Sequence, residues 1–494
     1  MTAAATLALA GCTVGPNYRP PEMAVPPNYA GAQANADAVD PATWWRAFGD
    51  PVLDGLVARA LVGNPDMATA ASRVRQARLQ EIAARAAGLP SVNASAQTTH
   101  VEFSKNAGLS SLARAFGGGG GGSGGGGTGG SGSAGGIALP GSGITTFAVG
   151  FDASWEIDLF GGVRRGREAA AARTQAAEWT RRDAAVTLAA EVAQAYFALR
   201  LDQAQDVIVS SEIARQRRAL EIAGNVAAVG LVPAVDVTRQ RAQLTSTEAR
   251  LEPVRADAQV RIHALGLLIG DVPETLAAEL AAPATATAVP LVPAGLPSEL
   301  LRRRPDVRAA ERQLAAANAD IGVAIADLYP RFSLTGMAQL ISTSLASLIE
   351  RDSLQLTGTG AFNVPIVDFG RRRATVETRR EDREQAYIAY RVAVLGSLRD
   401  VEDALAQIDA ERRRNAALVR AVADAEASAK AIEAQYRTGF IAQDSLLNAE
   451  VQGLTAREQA AQSDAQLRQM TATLFKAMGG GWSAEMPLPE RPER

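Results

Sequence analysis

The chain has 494 residues, and its 53 acidic and 50 basic side chains leave a net charge of −3, which excludes nucleic-acid binding by overall charge. Apolar residues make up 47% but aromatic ones only 5%, so the apolar share is mainly alanine, leucine and valine. That composition forms helices with small contact residues and excludes both disorder and a large aromatic core. One cysteine, Cys12, and two histidines, His100 and His263, cannot supply a disulfide framework, a Cys/His zinc site or a Cys–His dyad.

Residues 3–10 form a short apolar run that ends in Leu9-Ala10-Gly11-Cys12. The run is too short to span a bilayer, which takes about 20 residues, and reads instead as the end of a secretory signal. Residues 1–11 carry no Lys or Arg, so the signal segment reads as shortened at its start. Leu-Ala-Gly-Cys resembles the bacterial lipobox, which implies cleavage before Cys12 and a covalent lipid on its thiol. Thr13 rather than Asp in the next position implies delivery to the outer membrane.

The rest of the chain is written twice. Asn64-Pro65-Asp66 opens a helical pattern that Leu89-Pro90 closes, and Arg304-Pro305-Asp306 opens another that Tyr329-Pro330 closes. Proline at the first helical position and again beyond the end is regular helix punctuation. Asp158-Leu159-Phe160-Gly161 then matches Val367-Asp368-Phe369-Gly370, and Val229-Gly230 with Asp236 matches Thr438-Gly439 with Asp444. The first copy is the longer one between its proline and its phenylalanine, and the surplus holds a tract with 15 glycines in residues 117–136. That tract reads as a flexible surface loop joining two strands; no Gly-Lys-Ser/Thr closes it as a phosphate loop.

Each copy reads as helix, strand, strand, long helix, tip, long helix. Repeat 1 takes 63–268, with strands at about 91–103 and 144–160 and helices over 163–228 and 234–268. Repeat 2 takes 298–478, with strands at about 331–342 and 354–367 and helices over 370–438 and 441–478. Residues 12–62 precede the repeats as an N-terminal segment and collar, 269–297 link them, and 479–494 form a tail. The strands rest on period-two alternation, such as Phe147, Val149, Phe151, Ala153, Trp155 and Ile157 against polar neighbours. A soluble sheet with one wet face would show the same alternation. The proline-free pattern from Val163 to Ala228 corresponds to a helix of roughly 100 Å, which has to pack along a partner as in a coiled coil.

Four strands cannot close a membrane barrel, and open edges are not tolerated in lipid. If these are membrane strands, the barrel is shared between chains. Two copies would give eight strands with a filled interior, and three would give 12, enough for a lumen. The fold class expected is mainly α with a membrane β-barrel.

Several stretches together resemble the outer-membrane efflux proteins of the TolC type, in their OprM/NodT lipoprotein branch. They are Gly11-Cys12 with Gly15 to Pro21, Trp44 to Pro51, Arg303 to Val307, Ala324 to Pro330 and Pro365 to Gly370. The resemblance covers the chain after Cys12 except the glycine tract. It implies a homotrimer with a 12-stranded barrel in the outer membrane of a Gram-negative bacterium, standing on an α-helical periplasmic tunnel. It implies no enzymatic activity, no cofactor beyond the lipid on Cys12, and two partners: a periplasmic adaptor and an inner-membrane pump of the resistance-nodulation-division type. The function expected is a passive exit duct for small toxic compounds. Alternatives are a protein-secretion or metal-export duct, or a non-conducting lipid-anchored coiled-coil protein.

By the same resemblance, the periplasmic tips touch the adaptor and hold the closed constriction. They take Val229, Gly230, Leu231 and Asp236 in the first copy and Tyr436, Gly439 and Asp444 in the second. Relatives carry an aspartate where this chain has Asn448, so the acidic ring of the family does not transfer. Asp444, one helical turn earlier, is a candidate to replace it, but the favoured reading is the plainer one of a carboxylate that stabilises a helix N-terminus.

Overall fold

The structure is a computed structural model that describes residues 13–29, 39–102, 143–230, 233–281, 289–290, 299, 302–438 and 440–483. Cys12, Leu231, Gly439 and the glycine tract lie outside the described residues. The chain divides into two compact units. The first comprises Met1–Pro16, Ile82–Arg167 and Ala319–Arg379, and the second Asn17–Glu81, Glu168–Asn318 and Arg380–Arg494.

The element order repeats as the sequence does. Helices α1 (Pro51–Gly63) and α2 (Pro65–Ala86) lead into strands β1 (Ser91–Glu102) and β2 (Gly143–Ile157) and the long helix α3 (Gly162–Ala228). The chain returns as α4 (Ala234–Ala249) and α5 (Leu251–Ile269), followed by the short α6 (Pro273–Leu280). The second copy runs through α7 (Pro305–Ala326), β3 (Arg331–Ser342), β4 (Leu354–Asn363), α8 (Arg371–Arg437) and α9 (Gln443–Ala477). Helices α2 and α7 both have 22 residues, and α3 and α8 both have 67.

The first unit holds one antiparallel sheet in the order β1-β2-β3-β4, so β1 and β4 are its edges. All four joints between helix and strand fall at one end of this sheet. At that end Asp158 accepts from the backbone N–H of Val163 and Arg164, at 3.2 and 3.0 Å, and so caps α3. Asp368 does the same for the second copy, accepting from Gly370 N–H at 3.1 Å and Arg372 N–H at 3.3 Å. Both aspartates turn the backbone out of the sheet, which is why β2 stops at Ile157 rather than near residue 160. Pro365 has no N–H to donate to a ladder, and β4 ends at Asn363 rather than at 367.

The second unit is helical. A 3-10 helix, Pro41–Phe48, stacks Trp44 on Phe475 of α9 at 5.0 Å between ring centroids, with Phe48 against Phe197 of α3 at 4.9 Å. Asp50 caps α1 through Val52 N–H and Leu53 N–H and also accepts from the Tyr196 hydroxyl. Asn64 caps α2 and donates its amide to Leu268 O at 2.8 Å, pinning α2 to the end of α5. The collar segment expected over 12–62 thus contains two short helices that the sequence reading did not pick out, although Pro41 and Pro51 follow Asp40 and Asp50 as helix-start punctuation.

The return of the first copy is not the single helix expected over 234–268. It breaks at Arg250, between α4 and α5. Pro253 supplies the reason, because its missing N–H leaves Ala249 O without the usual i−4 partner. The matching α9 has no proline and runs unbroken for 35 residues.

Candidate functional site

The strand register sorts side chains onto two faces, since residues directly opposite each other share a face. Across all four strands, Val92, Ala153, Gly336 and Gly358 lie in one row; Ala94, Phe151, Ala338 and Leu356 lie in the next. Trp155, Leu334 and Gly360 form a third row, and Ile157, Phe332 and Phe362 a fourth. Every one of these residues is apolar or glycine. They are not covered: Leu356 is 72% exposed and Phe151 63%.

The opposite face is polar. Ser91 and Ser154 hydroxyls meet at 2.8 Å, Asn93 donates to Asp152 at 3.1 Å, and Gln339 donates to Gln355 at 3.3 Å. The apolar rows from Val149 to Ile157 run about 26 Å along the strand, or about 20 Å at the usual tilt, most of the height of a membrane barrel's apolar band; the next row sets Phe147 beside the polar Thr98 and Ser342. An exposed apolar face of that height beside a polar one belongs in a membrane.

Aromatic rings collect at the end where the helices join. Phe160 stacks on Tyr329 at 4.6 Å, Phe332 lies 4.8 Å from Phe362, and Trp155 donates its indole N–H to Gly88 O at 3.1 Å. Such a girdle marks the boundary between lipid and water. The alternation reading found the strands but not this girdle, because alternation within one strand does not say which residues of the other strands lie beside it.

The residues that follow Cys12 are locked to the same end of the sheet. Val14 N–H donates to Phe160 O at 3.1 Å, and Arg165 donates to Val14 O at 3.1 Å and Gly15 O at 3.2 Å. Gly161 has φ +82°, and a Cβ there would meet Thr13 Cα at 2.8 Å. Gly15, at φ +92°, lies so close to Gly322 that a Cβ would meet its Cα at 2.5 Å. Glycine is required at both places by conformation and by space.

The tip residues lie in the second unit. Gly230 has φ +77°, in open space, and closes α3 through its N–H on Ala227 O at 2.9 Å. Asp236 and Asp444 come from equivalent positions of the two copies, and Arg239 brings them together. Its guanidinium lies 3.4 Å from Asp444 and 3.8 Å from Asp236. Gln443 adds a second link by donating to Asp236 O and to the Gln240 side chain, each at 3.2 Å. Burial, with Asp236 adding to it, pushes the Tyr436 hydroxyl above its ordinary pKa. Val229 and Asn448 are exposed. Arg239, Gln240 and Gln443 escaped the sequence reading because their partners lie about two hundred residues away.

Of the run Arg302–Arg304, the third arginine is committed to ion pairs within the fold. Arg304 is held by Asp306 at 2.6 Å and Asp400 at 3.2 Å and donates to Ala477 O. The buried Trp44 and Trp45 are packing residues rather than a ligand cage.

A membrane sheet whose strands all continue into long helices at one end defines a channel of the outer membrane. The comparisons agree. The profile described as outer membrane efflux protein matches residues 56–271 and 296–480. Outer membrane protein OprJ of Pseudomonas aeruginosa is 30% identical over 488 residues, which are 96% of this chain and 94% of OprJ. The pyoverdine export outer membrane protein OpmQ of the same organism is 28% identical over 455 residues, 92% of this chain and 90% of OpmQ. The solved outer-membrane channel OprN superposes with a TM-score of 0.84 at 30% identity, covering 96% of this chain and all of OprN. The chain belongs to the outer membrane efflux protein family. It is a transport channel of the outer membrane.

Proposed function

We propose that three copies of this chain close a 12-stranded barrel and form the exit duct of a tripartite efflux system. Small toxic compounds pass through it, handed on by a periplasmic adaptor and a proton-driven inner-membrane pump of the resistance-nodulation-division type. Cys12 carries the lipid that fastens the N-terminal segment to the membrane. The register is the observation that carries this reading: it gives the sheet one lipid face, one polar face and two unpaired edges. Lipid satisfies neither edge, so β1 of one copy has to meet β4 of the next.

The clasp of Arg239 on Asp236 and Asp444 supports the tip as the closing end of the duct. It ties together the two helical returns that would have to part for a wider opening. Support for the anchor comes from the close approach of Thr13 to Gly161 beside the aromatic girdle. Single-channel recording on the purified, full-length protein in a planar bilayer tests the duct. Discrete conductance steps are expected; none under any voltage, salt or pH would overturn the reading.

A further inference from the structure

Behind the tip, helices α3, α4, α8 and α9 enclose a cavity of about 490 Å³. Two carboxylates from different copies face each other in this region. Glu212 of α3 is fully buried and satisfied: the Arg215 guanidinium and Gln216, at 3.0 Å, donate to it, and Arg457 of α9 reaches it at 3.5 Å. Glu450 of α9 lines the cavity one to two turns before Arg457. Its Oε2 is buried and has no hydrogen-bond partner.

The charges around Glu450 do not compensate it. On α3, the basic Arg215 is already bonded to Glu212, and Arg218, which also lines the cavity, donates to Ala214 O at 3.4 Å. On α8, Glu433 pairs with Arg437 at 2.6 Å, while Glu426 and Lys430 also line the cavity. On α9 itself, Arg457 is shared between Glu212 and Glu426, and α4 contributes only the neutral Gln240. An ionised Glu450 is therefore a partly buried charge without a donor, next to a second buried carboxylate. Such a charge is unfavourable unless it takes a proton or reaches water.

We propose that Glu450 is a proton-operated lock on the helical tip: the neutral acid lets α9 pack against α3 and α8, and its ionisation loosens that packing. The inference rests on the reading of the tip as the closing end of the duct. Burial first, and the Glu212 charge second, push the Glu450 carboxyl up to about 7 from 4.5. In a loosened tip, where water reaches the carboxyl, it returns to the ordinary range. Between pH 4.5 and 7 the packed tip then binds more protons than the loosened one, so acid favours packing. Rising pH withdraws that support through this window, and above it the balance is flat.

The test is open probability against pH, from 4.5 to 8, for the full-length wild type, E450Q and E212Q in planar bilayers. For the wild type, a rise of about tenfold or more is expected across the window and a plateau above it. E450Q keeps the neutral shape and is expected to stay at the acid level throughout. E212Q removes the facing charge, so its midpoint moves to lower pH. Amide exchange of residues 446–457, corrected for intrinsic rate, gives a second readout: faster at pH 8 than at pH 5 in the wild type and unchanged in E450Q. A wild type without the rise, or an E450Q channel with the wild-type slope, overturns the lock while leaving the duct in place. Absence of conductance in every variant at every pH overturns the duct instead.

Discussion

Arg239 shows how much a single side chain holds at the tip and how little energy it takes. Its guanidinium is half exposed, and so is the Asp444 carboxylate, with side-chain exposures of 53% and 66%. Ion pairs this open contribute about 0.2–1 kcal/mol each, because solvent screens them and two long side chains lose freedom. Replacing Arg239 by Ala is therefore expected to raise open probability by about two- to fivefold rather than to unlock the channel outright. Raising the salt to about 1 M should imitate the substitution, since the Debye length there is only about 3 Å. Unchanged open probability in both experiments would leave Asp236 and Asp444 as helix-end carboxylates. The contrast with Glu212 is instructive: a carboxylate with no solvent exposure at all gathers three donors. Pairing is optional at the surface and obligatory inside.

At the scale of elements, most of the architecture is written in punctuation and periodicity. Pro65 and Pro305 start α2 and α7, Pro90 and Pro330 stop them, and the glycines after Phe160 and Phe369 mark where strands give way to long helices. What stayed hidden has two physical sources. One is local: Pro253 breaks the first return helix at a place that the apolar pattern bridges without a gap. The other is distance. Arg239 meets Asp444 205 positions away, and no period within one helix encodes a contact across two copies. Strand alternation gave the two faces of each strand but not which faces line up; the register supplies that. It also makes the faces separately testable. Leu356 on the apolar face and Thr357 on the polar face are neighbours on β4. Arginine at Leu356 is expected to cost about 2–4 kcal/mol in lipid and to deplete folded protein in the outer membrane. Arginine at Thr357 should leave folding intact and change only ion selectivity. Equal tolerance at both positions, measured by heat-modifiable mobility and membrane yield, would contradict the assignment of the lipid face.

For the whole molecule, two forces act on membrane attachment, and they differ in strength. Closure of the proposed twelve-stranded barrel would satisfy every edge hydrogen bond of β1 and β4. A lipid on Cys12 adds only the burial of acyl chains, and a single chain gives marginal, reversible binding. Val14 and Gly15 are held by Arg165, and Thr13 lies against Gly161, at the end of the sheet that carries the aromatic rings. Anchor and closure should accordingly separate. A Cys12→Ser chain carrying an ordinary cleavable secretion signal is expected to lose all labelling by a palmitate analogue yet still to assemble as a trimer in the outer membrane. Failure of the wild type to take the label, or label persisting on the variant, would remove Cys12 as the anchor. Monomers in place of trimers would mean that the strand edges cannot find each other unaided, and that the lipid acts before closure by holding the three chains in one membrane plane.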